Sequence, residues 1–209
     1  MADKDAELVE FWKKITLHDD SKAFELFFFL LNVRLIKFCT LYVHQKEIAE
    51  EIVSDVFVTI WMQRKNLSHV HSPETYIFIA VKNRALNHIK RFSTINVVNI
   101  EDHSPQLVDT FNAQKELEQN ELFFKMDQAV RSLPQQCQLV FRLVKEDGMK
   151  YKEVAEVLDI SYKTVQTQML RAMKKLAVIM GNELNGKNNS NLKNIISILW
   201  FLTFCSICR

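Results

Sequence analysis

Glycine and proline, the residues that let a chain turn tightly, number only three each in 209 residues. An all-β chain needs turn residues about every 8–12 positions, and this sequence does not supply them. Long helices joined by short turns are expected instead, so the fold class is all-α. A single core usually serves roughly 100–150 residues, and the length therefore suits two small helical domains. Apolar residues make up 48% of the chain and charged residues 25%, a balance that lets burial offset the entropy of folding.

Net charge is only +2, too little by itself to indicate a nucleic-acid partner. Its distribution says more. From Thr75 to Ile100 there is no acid, but there are Lys82, Arg84, Lys90 and Arg91. From Ser161 to Met180 there is again none, with Lys163, Arg171, Lys174 and Lys175 present. Acid gathers in Glu47, Glu50, Glu51 and Asp55, and again from Glu101 to Glu118. Two basic stretches with an acidic spacer suggest two contacts with one polyanion; ordinary solvated helix faces are the alternative. The acidic N-terminus has no apolar run of a signal peptide. Cys39, Cys137, Cys205 and Cys208 form no disulfide framework, so a reduced, cytoplasmic setting is expected.

Helical spacing organises the first domain, residues 1–95. Phe24, Phe27, Phe28, Leu31, Leu35 and Phe38 mark a core helix over Phe24–Val43. In Gln45–Lys65, one row is Ile48, Ile52, Val56 and Ile60, and another is Val53, Phe57 and Trp61. Steps of four residues merge them into one wide buried stripe. Asn66–Ser72 reads as a loop. Ser72, Pro73 and Glu74 then supply an N-cap, a first-turn proline and a first-turn acid for a third helix running to about Phe92. Its apolar row is Phe78, Val81, Ala85, Ile89 and Phe92. Residues 96–119 read as a partly disordered acidic linker, and 120–180 as a second helical domain with breaks at Ser132–Pro134, Asp147–Gly148 and Leu158–Ser161. Within 181–209, a polar tether leads to the apolar tail Ile195–Ile207. As a helix those residues would reach ~20 Å, short of the ~30 Å hydrocarbon core. Docking onto this protein or a partner is the preferred reading of the tail, ahead of interfacial membrane association.

Tyr151–Lys175 fits a helix-turn-helix. Ala155 is small enough for a helix crossing, Val154, Leu158, Ile160 and Val165 face one another, and Asp159 occupies the turn where glycine is more usual. In the second helix Val165, Met169, Ala172 and Leu176 form a buried row. Thr164, Thr167, Gln168, Arg171 and Lys175 form the opposite row, polar and free of acid. Ser161 is the natural N-cap, leaving helix N–H groups to face phosphate. Short polar side chains near the helix start, flanked by Lys163 and Arg171, suit the reading of base edges in a major groove. A three-helix bundle with a polar outer face is the plainer alternative.

Glu47–Lys65, Tyr76–Arg91 and Leu133–Leu176, in this order and at this separation, resemble the extracytoplasmic-function (ECF) group of the sigma-70 family, particularly the type expanded in Bacteroides and its relatives. The resemblance spans roughly residues 20–180. It implies an alternative sigma factor that binds core RNA polymerase and directs promoter-specific initiation of transcription, without catalysing a reaction itself. It also implies roles for matching residues. Glu51, Asp55, Val56 and Phe57 would dock on the polymerase clamp. Asn83, Arg84, Asn87, Lys90 and Arg91 would hold −10 promoter DNA, with His69 and His71 in a loop that receives an extruded base. Ser161, Lys163, Thr164, Thr167, Gln168, Arg171 and Lys175 would read the −35 element as duplex. A membrane anti-sigma factor is an expected partner, and membrane association through it or through the tail qualifies the cytoplasmic localisation.

Other readings have less behind them. His69 and His71 with His88 or His103 would suggest a metal site, and Cys205 with Cys208 could add ligands. No second cysteine pair accompanies the latter, and it lies in the apolar tail, so structural or incidental roles are preferred and neither metal nor cofactor is expected. No nucleophile triad or phosphate-cradling glycine loop points to an enzyme. A stand-alone helix-turn-helix regulator would share the C-terminal half but carry a receiver or ligand pocket in place of the N-terminal one.

Overall fold

A computed structural model describes residues 2–93 and 126–184. Its helices are α1 (Ala2–His18), α2 (Ser21–Val43), α3 (Lys46–Gln63), α4 (Pro73–Ser93), α5 (residues 126–131 as described), α6 (Gln135–Lys145), α7 (Tyr151–Leu158) and α8 (Tyr162–Leu184). A 3-10 turn, Arg64–Asn66, follows α3, and no strand occurs among the described residues. The acidic linker, His103, and the apolar tail with Cys205 and Cys208 lie outside the described residues. By contacts the chain divides into two compact units, Met1–Asp109 with Arg142–Val165, and Thr110–Phe141 with Gln166–Arg209.

In the first unit α2 is central, packing against α1, α3 and α4. It is long and apolar enough to cross a membrane by length and composition. Here it buries Phe27, Leu31, Leu35 and Phe38 in a helical core instead. Asp20 starts it by accepting from the N–H groups of Lys22 (2.9 Å) and Ala23 (3.0 Å). His44 ends it in the left-handed region, its N–H donating to Thr40, a common way to satisfy a terminal carbonyl. The stripe expected on α3 is buried at Ile52, Val53, Val56, Phe57 and Ile60, with Ala49 added. Aromatic rings tie the two helices: Phe28 lies 4.8 Å from Phe57, and Phe24 4.9 Å from Trp61.

Helix α1 was not foreseen. Leu8, Trp12 and Ile15, at steps of four and three, are fully buried, and such side chains contribute roughly 1.5–3 kcal/mol each. Trp12 also donates its indole N–H to the Leu67 carbonyl at 3.2 Å, pinning the loop before α4. Two further departures concern α4 and α8. Phe92, expected in the apolar row of α4, is half exposed, whereas Lys82 is buried. Helix α8 continues through Gly181 to Leu184, where the polar tether was expected to begin.

Helix α4 starts at Pro73, and Glu74 in its first turn meets Arg34 of α2 at 2.5 Å. The same guanidinium reaches Asp147, between α6 and α7, through Nε to Oδ1 at 2.7 Å and Nη2 to the carbonyl at 3.0 Å. Its carbon lies 5.7 Å from the Phe78 ring centroid, and Nη1 is buried without a hydrogen-bond partner. Burial disfavours the charge on Arg34, but Glu74 and Asp147 more than offset this and raise its pKa. The cluster therefore belongs to the core of the first unit, where α4 also packs against α7.

In the second unit the start of α6 and the length of α8 supply the core. Cys137, Leu139, Val140 and Phe141 of α6 are buried, as are Met169, Ala172 and Leu176 of α8. Leu133 closes the turn from α5, its N–H donating to Val130.

Candidate nucleic-acid interface

The turn between α7 and α8 is built by local hydrogen bonds. Glu153 accepts from the Lys150 N–H at 2.7 Å and starts α7. Asp159 ends it with φ 57° and ψ 50°, its N–H donating to Ala155 and Glu156. The Ile160 N–H also returns to Ala155, at 3.0 Å. Ser161 then caps α8, its hydroxyl accepting from the Thr164 N–H at 3.0 Å and lying 2.8 Å from the Thr164 hydroxyl. Val154, Val157 and Val165 are fully buried, while Leu158 and Ile160 are only half-buried. Tyr151 and Tyr162, 6.0 Å apart, face each other at the two helix starts; burial, with Tyr162 beside it, pushes the Tyr151 phenol up.

Helix α8 sorts its side chains by exposure. Val165, Met169, Ala172 and Leu176 are buried as expected. Ser161, Lys163, Thr167, Arg171 and Lys175 are exposed and Thr164 half-exposed. Gln168 departs from that row: it is 9% exposed. Its amide nitrogen donates to Gln136 Oε1 at 2.9 Å, and its oxygen accepts from Cys137 Sγ at 2.9 Å. Helical spacing had put Gln168 on the outer row, but at i+3 from Val165 it lies on the border, and α6 claims it. Sequence reasoning missed Gln166, Leu170 and Lys174, which are exposed on this face. Their positions, at i+3, i+7 and i+11 from Lys163, carried the signal.

On α3, Glu51 and Asp55 are exposed, but Val56 and Phe57 are 4% and 2% exposed. Neither side chain can touch a partner, because both are packed beneath the face that the two acids occupy. Val58 and Met62, 57% and 76% exposed, continue that face toward the C-terminus of α3. On α4, Asn83, Arg84, Asn87, Lys90 and Arg91 are all exposed, as are His69 and His71 before it. Arg84 turns toward α3, pairing with Asp55 at 2.7 Å and donating to the Thr59 hydroxyl at 3.3 Å. No group of three metal-ligating side chains occurs among the described residues.

A capped second helix after a left-handed turn, exposing a polar and basic face, defines a helix-turn-helix DNA-binding protein. Residues 31–93 match the family Sigma-70 region 2, and residues 123–176 match Sigma-70, region 4. Together they cover more than half the chain, which belongs to the ECF group of the sigma-70 family. It is a sigma factor, which binds core RNA polymerase and directs promoter-specific transcription initiation. Among solved structures, CnrH in complex with the cytosolic domain of CnrY is similar at a TM-score of 0.55 and 17% identity, with 84% of this chain and 98% of that one covered. The sigma factor RpoE, in complex with the anti-sigma factor NepR from Bartonella quintana, gives 0.53 and 15%, covering 77% and 98%. At such identities the likeness concerns the fold. No curated protein matches the sequence.

Proposed function

We propose that three helix faces divide the work of this sigma factor. The exposed, acid-free face of α8 carries this reading, since it presents Lys163, Gln166, Thr167, Leu170 and Arg171 in succession from a Ser161-capped start. Such a helix in a major groove reads base edges through its short polar side chains and holds phosphate through its cations, and here its target is the −35 element. The face of α4 with Asn83, Arg84, Asn87, Lys90 and Arg91 takes −10 DNA. His69 and His71 stand in the loop that Trp12 anchors, beside the place for an extruded base. The face of α3 with Glu51 and Asp55, extended by Val58 and Met62, docks on the polymerase clamp, with Val56 and Phe57 supporting it from beneath. The protein works in the cytoplasm, and a membrane anti-sigma factor holds it inactive; the anti-sigma partner in the RpoE structure supports the class of partner.

Run-off transcription tests the whole reading. Core polymerase from a related bacterium is given the promoter upstream of the protein's own operon, with and without the protein. A transcript that depends on the protein is expected, and its start site locates both promoter elements. Polymerase-independent binding to the same DNA without a transcript would favour a stand-alone regulator and remove the role given to α3.

A further inference from the structure

Between the first turn of α6 and the face of α8 lies an open groove of about 450 Å³, lined by Gln136, Gln168, Arg171, Lys174 and Lys175 with Pro134 and Cys137 at its head. Three cations and no acid line it. None of the three has an ion-pair partner among the described residues. Buried beside them is a directional relay: Cys137 Sγ donates to Gln168 Oε1, and Gln168 Nε2 donates to Gln136 Oε1. With its oxygen occupied, Gln136 has its amide N–H groups left to offer, and its side chain is exposed. The first backbone bond of α6 runs from Gln138 to Pro134, so the groove lies at the N-terminal end of that helix, where the helix dipole adds positive potential. The groove thus presents three cations and the Gln136 amide N–H groups, with no carboxylate among its lining.

We infer that this groove clamps the sugar-phosphate backbone of duplex DNA and that Gln168 is a positioning residue for it, orienting the Gln136 amide rather than reading a base. The inference rests on the −35 role given to α8 and divides that helix by function. Its first two turns face base edges, whereas Arg171, Lys174 and Lys175 grip phosphate with Gln136. A buried amide satisfied at both ends is a rigid spacer, because breaking either bond leaves a buried polar atom unpaired. The relay therefore holds α6 at a set distance from α8 and fixes the width of the groove.

The salt dependence of promoter binding separates a backbone clamp from a base reader. Each phosphate contact contributes about 0.9 to the slope of log K against log salt, and losing one weakens all sequences alike. Holoenzyme reconstituted with the full chain is titrated onto the cognate promoter and onto the same fragment with its −35 element scrambled. For K174A, the slope is expected to fall by about 1, so that the advantage of wild type is about fourfold larger at 50 mM than at 200 mM salt. The loss is expected to be equal on both fragments. Q168M, which keeps volume but breaks the relay, is expected to show the same uniform loss and reduced slope, with its thermal midpoint recorded to exclude unfolding. An unchanged slope in K174A would overturn the clamp, as would a loss confined to the cognate fragment, which would make Lys174 a base reader. Wild-type holoenzyme indifferent to the −35 sequence would remove the −35 reading itself, while a K174A slope still lowered by about 1 on both fragments would keep the clamp on duplex backbone.

Discussion

Asp159 holds φ 57° and ψ 50°, a conformation that costs an L-residue roughly 1–2 kcal/mol unless a short polar side chain eases it. Glycine would adopt it freely but lose more entropy on folding. D159G is therefore expected to leave stability within about 0.5 kcal/mol, whereas D159V is expected to lower it by about 1–2 kcal/mol. Denaturant titration of both variants checks this, and a D159V as stable as wild type would show that the turn is not constrained there. A second residue makes stability depend on pH. Cys39 is fully buried in α2, and burial pushes its thiol up to about 12. An unfolded thiol titrates near about 8.5, so on raising pH the unfolded chain loses its proton first. The contribution is complete below that value and is lost as pH rises through the window toward 12. The thermal midpoint should fall between pH 8.5 and 10, and in C39A it should fall less steeply; identical slopes would mean that the thiol does not titrate differently in the two states. At this scale sequence patterning is blind to inward-turned polar groups. Gln168 is polar and stands between exposed Thr167 and buried Met169, and only its bonds to Gln136 and Cys137 mark it as interior.

Among elements, the amphipathic helices were legible because burial repeats along them. Helix α2 through α4 and α6 through α8 follow apolar rows readable in the sequence, and Ser72, Pro73 and Ser161 stand where helix starts require such residues. Leu8, Trp12 and Ile15 carry the same spacing for α1, but three apolar positions beside an acidic N-terminus are too short a row to mark a buried helix face. How faces combine was not legible. Asp55 of α3 and Arg84 of α4, assigned to polymerase and to DNA respectively, neutralise each other at 2.7 Å. Both are exposed, so the pair is worth only about 0.2–1 kcal/mol, yet it occupies a guanidinium that −10 DNA is proposed to use. D55N should raise the affinity of the free protein for single-stranded −10 DNA by up to about fivefold. It should at the same time weaken binding to core polymerase. Fluorescence anisotropy with labelled oligonucleotide and with labelled core measures each effect; unchanged DNA affinity would mean that the pair does not restrain Arg84.

At the scale of the whole chain, Arg34 joins residues up to 113 positions apart within the first unit. Its side chain is 16% exposed, and those of Glu74 and Asp147 are 17% and 11% exposed, so removal of the cation would leave two carboxylates mostly out of water. Breaking such a group typically costs about 3–5 kcal/mol. R34A is expected to destabilise the first unit by about 3 kcal/mol and to raise hydrogen exchange in residues 146–158, which lose their tie to α2. Exchange unchanged there would show that the packing of α7 on α4 suffices without the cluster. The sequence by itself determined the helical class, the order of the elements and most of the exposed polar face of α8. Scarcity of glycine and proline and the repeat of apolar side chains are local properties, expressed wherever a helix forms. Tertiary structure alone decided which polar side chains turn inward and which charges are already spent on one another. Those outcomes depend on partners 29, 31 and 113 residues away, brought within hydrogen-bond reach only when the helices pack.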